Sequence, residues 1–277
     1  MVREIDVQHL GRDRVIAAHT VRGLIIDPGP ASALDNWVDS IDEEPRAILL
    51  THIHLDHAGA AGVLARRFPD LRVYVSEVGA RHVIDPSRLL ESAARLYGAE
   101  NMERLWGEVA PVDAERVTAL TGGDEAEGLG VEHTPGHAGH HVVYFDRELG
   151  DVYVGDMAGV RIPPGDFTLA PTPPPEIDVE AWLESLERIE ALGAERLRLT
   201  HFGLAEDVDG QLERVRESLA REAEAARGGD REAFLQALES EIDAGATPDA
   251  ARSLRQASPP DQLWAGLERY WRKRDEG

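Results

Sequence analysis

The sequence predicts an α/β fold, and three observations support this prediction. Short apolar runs alternate with amphipathic segments of helical period, as where RAILL precedes AGAAGVLARRF. Four of the apolar runs end in histidine or aspartate. Ligands of α/β proteins usually bind at the carboxyl ends of strands. The same runs therefore predict a sheet and a functional site at its edge.

Composition narrows the class of protein. The 277 residues are enough for one large α/β domain, or for one domain with a small appendage. The absence of cysteine excludes disulfides, cysteine–zinc sites and a thiol nucleophile. A net charge of −23 argues against nucleic acid as a partner. Neither a signal peptide nor a membrane-length apolar run is evident, so we expect a soluble, cytoplasmic protein that does not bind membranes.

The first part of the chain predicts strands around a histidine-rich loop. Three β-type runs come first: REIDVQ, RVIAAHT and GLIIDPG. Residues 31–45 predict a helix that Pro45 closes. A buried strand is predicted over Ala47 to Leu50, and a helix beginning near His57 to Gly59. The histidine-rich loop THIHLDHAG lies between these two elements.

The remaining elements follow in order along the chain. The patterns predict a strand and a helical turn over 72–85, a helical insertion over 86–109, two strands around a Gly/Asp turn over 117–136, a hairpin turning at 147–150, a proline-rich loop over 161–178, an amphipathic helix that ends at Gly193, a strand before His201, and charged helices from Asp207 onward.

The loop THIHLDHAG, residues 51–59, has the spacing of metal ligands. On extended backbone, residues two apart point the same way, so His52 and His54 can face one metal ion. Asp56 and His57 come after the turn and can face a second ion nearby. Imidazole and carboxylate are ligands that suit zinc, and also iron or manganese.

Further ligand types stand at other strand ends. HTPGHAGHH carries His133, His137, His140 and His141; YVGD ends in Asp156, and LRLTH ends in His201. Two metal ions that share a bridging carboxylate need about six or seven protein ligands and leave a position for water. We therefore expect two divalent metal ions, with zinc as the first choice and iron or manganese as alternatives.

These motifs resemble the metallo-β-lactamase-fold hydrolase superfamily. Its marks occur in order as Asp27 in LIIDPG, the HIHLDH loop, the TPGH turn, the GD strand end and the final THFG. The resemblance covers about residues 1–205, which we take as the catalytic domain. It implies a four-layer αββα sandwich with the metals at the edge between two sheets. Residues 206–277 are then expected to form a C-terminal helical extension packed on that domain.

The resemblance also implies a role for each site residue. It assigns the first metal to His52, His54 and His137, the second to Asp56, His57 and His201, and the bridge to Asp156. Asp27 is expected to orient the HIHLDH loop. Asp56 is a candidate proton shuttle. His140 stands where many relatives have Ser or Thr, and is interpreted as a hydrogen-bond donor, a substrate contact or a structural residue.

The favoured function is a dinuclear metal-dependent hydrolase, in which a metal-bridging hydroxide attacks a small ester, thioester or lactone. A phosphodiester or phosphotriester hydrolase on the same fold is the alternative. A mononuclear iron oxygenase, or a metal-binding protein without hydrolysis, is a third hypothesis. The missing cysteine near Asp156 disfavours an antibiotic-hydrolysing enzyme of the cysteine-using class.

Specificity is expected to come from segments outside the common core. The insertion 81–112 is rich in large apolar residues, and Tyr97 and Trp106 are candidates to line a pocket for a small-molecule substrate. The alternative is that this face simply packs on the core. The apolar residues of 207–277 are interpreted as a helical cap on the sandwich, with a homodimer surface as the rival interpretation.

Overall fold

Two mixed β-sheets lie face to face in the computed structural model, which describes residues 1–276. The strands of the first sheet, in spatial order, are β1 (Arg3–Asp6), β2 (Ala17–Val21), β3 (Leu24–Ile26), β4 (Ala47–Leu49), β5 (Arg72–Ser76) and β6 (Val117–Leu120). The first three are antiparallel, and β3 to β6 are parallel. The parallel strands bring their carboxyl ends to one edge.

The second sheet also contributes strand ends to that edge. Its strands are β7 (Glu125–Ala126), β8 (Leu129–His133), β9 (Val142–Asp146), β10 (Asp151–Gly155), β13 (Arg196–Leu199) and β14 (Gly203–Ala205), and a separate pair is formed by β11 (Val160–Arg161) and β12 (Thr168–Leu169). Strands β10 and β13 are parallel, so Asp156 and His201 follow neighbouring carboxyl ends.

Helices cover the outer faces of both sheets. The α-helices are α1 (Leu55–Ala58), α2 (Ala61–Arg67), α3 (Glu77–Ile84), α4 (Ser87–Tyr97), α5 (Met102–Trp106), α6 (Val179–Ala191), α7 (Val208–Arg227), α8 (Arg231–Gly245), α9 (Pro248–Ala257) and α10 (Pro260–Glu276). The 3₁₀ helices are His9–Gly11, Ala31–Asn36, Val38–Ser40, Ala99–Asn101 and Ala114–Arg116.

Alternation along the strands builds the four layers. In β3, Leu24 and Ile26 pack with Tyr144 and Tyr153 between the two sheets, whereas Ile25 packs with the helices outside the first sheet. This is the period of two that side chains follow in a strand. Because each inner strand is apolar on both faces, each sheet is buried on both sides. The expected αββα sandwich is confirmed.

The helix predicted over residues 31–45 is wrong as a single α-helix. The structure has two short 3₁₀ helices there, Ala31–Asn36 and Val38–Ser40. Between them Trp37 adopts a non-helical φ of −138° and is buried in the core of the first sheet. Burying the large indole there outweighs the weak local preference for continuous helix.

Two further boundaries differ from the sequence prediction. The proline-rich segment 161–178 is not entirely loop, because Arg161 belongs to β11 and pairs with Thr168 in β12. The helix expected near His57 already begins at Leu55. Its first turn therefore contains both Asp56 and His57, which fixes their spacing on helical backbone.

The C-terminal helices contribute to the core of the second sheet. Phe234, Leu254, Leu263 and Leu267 are buried in the same cluster as Val152 of β10. The apolar residues that suggested a cap or a dimer surface are thus already covered within the chain. The division at residue 206 and the homodimer both stay predictions. Among residues 1–276, no helix combines the length and apolarity that crossing a membrane requires.

A buried carboxyl group lies at the contact between α7 and the β11–β12 pair. The Oε1 atom of Glu222 accepts hydrogen bonds from the Ser218 hydroxyl and the Ala170 backbone amide. Its Oε2 atom has no hydrogen-bond partner within the described chain. Burial disfavours the ionised form and raises the pKa of Glu222 from 4.5 to about 7.

We predict that Glu222→Gln stabilises the protein in a pH-dependent way. Burial favours the protonated form of Glu222. The contribution of this group to the free energy of unfolding is therefore complete below about pH 4.5 and is lost as the pH rises through 7. The stability gained by the variant should therefore grow across this range and level off at about 3 kcal/mol. Urea unfolding at several pH values measures it. Glu217→Gln, at an exposed site on the same helix, is the control, and an equal gain in both variants would contradict the explanation.

Candidate metal centre

The histidine-rich loop connects β4 to α1 at the edge shared by the two sheets. His52 follows β4 and is fully buried, and His54 is the residue before α1. Asp56 and His57 lie in the short helix itself. His137, Asp156 and His201 come from loops of the second half of the chain and complete the cluster.

Four side chains form a first group. The Nδ1 atom of His54 lies 3.0 Å from the Nε2 atoms of both His52 and His137. The Oδ2 atom of Asp156 lies 3.3 Å from His137 Nε2. All four offer a ligand atom within 4.8 Å of one another.

Three side chains form a second group beside the first. The Oδ2 atom of Asp56 lies 3.3 Å from His201 Nε2 and 3.9 Å from His57 Nε2. The Oδ1 atom of Asp156 lies 3.1 Å from His57 Nε2 and 3.5 Å from His201 Nε2. One carboxylate oxygen of Asp156 therefore faces each group, which is the geometry of a bridging ligand.

Hydrogen bonds on the outer side of the rings set which nitrogen faces the centre. The outer Nδ1 atoms of four histidines lie against oxygen acceptors: His52 on Thr51 Oγ1, His57 on Asp27 Oδ2, His137 on Pro171 O and His201 on Val15 O. Because Thr51 donates its hydroxyl proton to Asp27, its oxygen accepts from His52. A ring that donates through Nδ1 presents a bare Nε2 lone pair to the centre, as in metal-binding histidines.

The inward atoms fit a cation better than they fit one another. His57 Nε2 and Asp156 Oδ1 are close, yet neither has a hydrogen-bond partner of suitable geometry in residues 1–276. His54 can donate one proton from Nδ1, whereas two Nε2 lone pairs approach it. Buried polar atoms left unpaired are costly. A divalent cation in each group would satisfy these atoms, so the side chains present fit two metal ions.

Burial keeps the histidines of the first group neutral. Burial lowers the pKa of His52 well below its ordinary value, and burial together with the charge of His137 lowers the pKa of His54 to about 3. Burial also lowers the pKa of His137. These rings are therefore neutral at physiological pH, as metal ligation requires.

The carboxylates dominate the second group. Burial opposes ionisation of Asp156, but His57, His137 and His201 hold the pKa of Asp156 well below its usual range. Burial likewise opposes charging of His57, but Asp156, Asp27 and Asp56 together raise the pKa of His57 well above its usual value. The excess negative charge of three buried carboxylates is what a cation would neutralise.

Asp27 stabilises the candidate metal centre through hydrogen bonds on the outer side of the ligand-type residues. Its carboxylate accepts hydrogen bonds from the Thr51 amide and hydroxyl, from His57 Nδ1 and from the Thr200 hydroxyl, at 2.6–3.0 Å. Thr51 begins the histidine-rich loop and Thr200 precedes His201. Asp27 therefore orients this loop, as its place in LIIDPG suggested, and also fixes the strand end that carries His201.

His141 positions the backbone of Asp156, a role that the sequence did not assign to it. Its Nε2 atom accepts from the backbone amide of Asp156 at 3.4 Å, and its Nδ1 atom lies 3.0 Å from Thr134 Oγ1. Gly155 allows this approach, because a Cβ atom there would lie 2.7 Å from His141 Nε2 and 2.5 Å from Thr51 Oγ1. Its φ of +50° also suits glycine.

The turn TPGH depends on a similar close approach. A Cβ atom on Gly136 would lie 2.3 Å from the Cα atom of Trp182 in α6. The indole of Trp182 packs edge-on against the His137 ring, with 5.5 Å between centroids. His133 lies apart from the cluster, with Nε2 3.1 Å from the Gly139 carbonyl oxygen.

A cavity of about 380 Å³ opens beside the first group. His54 and His140 line its inner end, and Tyr97 lines one wall, as expected for a pocket residue. The interpretation of Trp106 as a lining residue is wrong, because its side chain is buried against Leu55 and stacks on the ring of His9.

Residues of the C-terminal segment also reach the centre, and no sequence pattern indicated them. A chamber of about 40 Å³ is lined by His54, Asp56 and Asp156 together with Ser258 and Gln262. These two residues belong to no motif and follow the last cluster residue by more than fifty positions. Their approach depends on how α9 and α10 pack, which local patterns do not encode.

The seven side chains expected as ligands all lie together, in the two groups described above. Their roles as metal ligands stay a prediction, as do those of Asp56 and His140 in catalysis.

Comparisons with known proteins agree with this architecture. A family model described as the metallo-beta-lactamase superfamily matches residues 15–201. The metallo-beta-lactamase fold-containing protein ST1585 of Sulfurisphaera tokodaii is 27% identical over 191 residues, which cover 65% of this chain and 69% of that protein. A crystal structure described as ST1585 from Sulfolobus tokodaii aligns with a TM-score of 0.72 over 96% of this chain and 97% of that chain, at 23% identity, which shows the fold alone.

Two other similarities bear on chemistry. A structure described as TTHA1623 in a di-iron-bound form aligns with a TM-score of 0.54 and 28% identity, over 69% of this chain and 89% of that chain. The hydroxyacylglutathione hydrolase of Aeromonas hydrophila is 30% identical over 142 residues, covering 50% of this chain and 43% of that enzyme. This chain thus spans less than half the length of that relative.

We predict that the purified, metal-supplemented protein carries about two equivalents of divalent metal, since seven ligands are too many for one open tetrahedral site. Asp156→Ala should retain at most about one equivalent, because both groups lose an oxygen. Elemental analysis measures the content, and circular dichroism checks the fold. Asp166→Ala, which removes an exposed carboxylate, is the control. Two equivalents in Asp156→Ala would remove Asp156 from the site.

Proposed function

The chain belongs to the metallo-beta-lactamase superfamily, and from this premise we propose that it is a hydrolase that holds two divalent metal ions and cleaves a small ester, thioester or lactone. The observation that carries the proposal is the position of the two groups of ligand-type side chains. They adjoin one another through Asp156 and open onto a largely apolar cavity. Such a cavity accepts an acyl group and limits water around the reacting bond.

Divalent cations bound there would supply activation of water and polarisation of the scissile carbonyl group. The residues of the chain then have separate tasks. The outer hydrogen bonds of His52, His57, His137 and His201 hold the ligand atoms in place before substrate arrives. Such preorganisation avoids the cost of reorienting the site during the reaction.

Asp56 is the group expected to move a proton. Its side chain is 21% exposed, against 5% for Asp156, so it is the more accessible carboxylate of the centre. The Oδ2 atom, 3.3 Å from His201 Nε2, lies where it can take a proton from water and pass it to the leaving group.

His140 is expected to contact substrate. It lines the inner end of the cavity, with its ring centroid 5.7 Å from that of His54. Its Nδ1 atom is buried and has no partner within the described residues. Burial lowers the pKa of His140 well below its ordinary value, so the ring offers a neutral hydrogen-bond donor.

The donor set of five histidines and two aspartates suits zinc, iron or manganese, and zinc stays our expected metal. The di-iron form of one structural relative makes iron the main rival. The substrate is expected to be a small molecule and not a nucleic acid or a membrane lipid surface. The relatives named hydroxyacylglutathione hydrolase favour acyl transfer to water over phosphoryl transfer.

We predict hydrolysis of carboxyl esters and acyl thioesters by the metal-loaded protein. An apolar pocket gains binding energy with each methylene, so p-nitrophenyl hexanoate should exceed the acetate in kcat/KM by about tenfold. The same assay with bis(p-nitrophenyl) phosphate tests the phosphodiesterase alternative. If kcat/KM is higher for the phosphodiester than for the carboxyl esters, the phosphodiesterase alternative replaces the proposed function.

The matched control is Asp156→Ala, which should lose nearly all ester hydrolysis. Ester hydrolysis that persists undiminished in this variant would show that the activity does not come from the metal centre. The exposed Asp166→Ala variant should behave as the unmodified protein does.

A further inference from the structure

The cavity beside the metal centre has two chemically different stripes on one helix. In α4, Leu89, Ala93 and Leu96 line the cavity as one row. Arg88, Ser92 and Arg95 line it as the adjacent row, also spaced by four and then three residues. Residues at this spacing share a face of a helix. The cavity therefore has an apolar wall with two guanidinium groups along its side.

The position of these two arginines distinguishes them from the others of the insertion. The sequence has 52 acidic and 29 basic residues, and some nearby arginines are paired with carboxylates, as Arg66 is with Glu108 and Arg67 with Asp39, but only Arg88 and Arg95 of the described arginines line the cavity. Arg88 and Arg95 are exposed and form no ion pair within residues 1–276. They place positive charge at a cavity that leads to the candidate metal centre.

The opposite wall carries a single carboxylate. It consists of Pro173, Pro174, Pro175 and Glu176. The Oε2 atom of Glu176 accepts from the backbone amide of Gly139, at 3.4 Å. Glu176 is thus tied to the loop that carries Gly139 and His140. An anion that enters the cavity meets two cations on α4 and one carboxylate across from them.

We propose that Arg88 and Arg95 bind an anionic group of the substrate, so that the cavity selects an amphiphilic acyl compound with a negative charge at some distance from the scissile carbonyl. This inference rests on the proposed function for the reaction itself. Guanidinium groups bind carboxylate or phosphate through charge-assisted hydrogen bonds. The apolar row beside them accommodates the chain that joins this anion to the reacting group.

The anion can belong to the acyl chain or to the leaving group, and three substrates separate these sources. Phenyl hexanoate is neutral, the monophenyl ester of hexanedioic acid carries its charge on the acyl chain, and 4-carboxyphenyl hexanoate carries it on the leaving group. We expect one of the two charged esters to exceed the neutral ester in kcat/KM. The preferred one identifies the side on which the anion lies.

The decisive variant is Arg88→Gln combined with Arg95→Gln, which keeps much of each side chain. It should lower kcat/KM for the preferred charged ester by about tenfold and leave the neutral ester within about twofold, as expected for loss of a charge-assisted contact. Arg104→Gln, at an exposed arginine of the same insertion, is the control. An unchanged ratio of charged to neutral ester in the double variant would overturn the proposal.

A binding measurement keeps this proposal separate from the proposed function. Calorimetry compares the affinities of hexanedioate and hexanoate. Both acids carry one carboxylate that can contact a metal directly, so the difference between the two affinities reports on the second carboxylate of hexanedioate. Tighter binding of hexanedioate that disappears in the double variant supports the anion site even if no ester is cleaved. If the two acids bind equally and kcat/KM for ester hydrolysis does not depend on the charge of the ester, the proposed anion site is overturned while the hydrolase function stands.

A different observation points to a contact from the C-terminal helices. Ser258, at the junction of α9 and α10, is 2% exposed, and its Oγ atom has no hydrogen-bond partner within the described chain. It lines the small chamber with Tyr97, Asp56 and Asp156. A buried hydroxyl group without a partner lowers stability, and alanine would fill nearly the same volume without that cost.

We infer that Ser258 donates a hydrogen bond to the bound substrate, again given the proposed hydrolase function. The hydroxyl group would then be unsatisfied in the free protein and satisfied in the complex. This is the pattern of residues that lower stability for the sake of function. The C-terminal helices would thus contribute a residue to the site as well as covering the sandwich.

Ser258→Ala distinguishes this role from packing. We expect kcat/KM for the hexanoate ester to fall by about tenfold while the melting temperature stays equal or rises, because an unpaired hydroxyl is removed. Ser253→Ala, which breaks a hydrogen bond to the Asp13 carbonyl, is the control and should lower the melting temperature without lowering kcat/KM. Unchanged kcat/KM in Ser258→Ala would overturn the inference. If no ester is cleaved, weaker hexanoate binding by Ser258→Ala supports it and equal binding overturns it.

Discussion

The buried carboxylate of Asp27 is the constraint on which the metal centre depends. It follows β3, accepts four hydrogen bonds and joins the histidine-rich loop to the strand end before His201. Its backbone has a φ of +47°, a conformation that few residues other than glycine tolerate and that aspartate adopts more readily than most. A carboxylate placed there holds elements of both sheets in register. Asp27 therefore links the loop that carries His52 and His57 to the strand end that carries His201.

The orientation of the histidines has an energetic consequence. Each outward hydrogen bond, such as that of His137 to Pro171 O or of His201 to Val15 O, fixes a lone pair toward the centre. The Nε2 lone pairs of His52 and His137 both approach His54 Nδ1 at 3.0 Å, and that atom can donate a proton to only one of them. A cation bound there would satisfy these atoms and would couple metal affinity to folding. Tertiary contacts far from the ligands therefore contribute to the affinity of the site.

The sequence predicted the parts of this site that are encoded locally. His52 and His54 follow a readable strand, so period-two spacing and the strand-end rule were enough to place them together. The acceptors behind the rings were not predictable, because Val15 and Pro171 meet their histidines only through tertiary packing. From composition alone, Tyr97 and Trp106 were equally good candidates to line the pocket. Gly98 and Gly107, with φ of +83° and +68°, turn the chain between and after their helices. The two rings then pack edge-on, with 5.0 Å between centroids, so that Tyr97 lines the cavity and Trp106 lies behind it against Leu55 and His9.

The candidate metal centre and the walls of the cavity are formed by different parts of the chain. The residues of the candidate metal centre come from strand ends, from adjoining turns of the sandwich and from the short helix α1. The walls around it come from α4, from the proline-rich segment 171–176 and from the junction of α9 and α10. Because Ala93 is the one buried residue of α4, we expect substitutions on the cavity face of this helix to leave the ligand anchors intact. Under the proposed function, a change of substrate could then proceed through these walls without disturbing the hydrogen bonds of Asp27, whereas a change to an anchor would alter the reaction for every substrate.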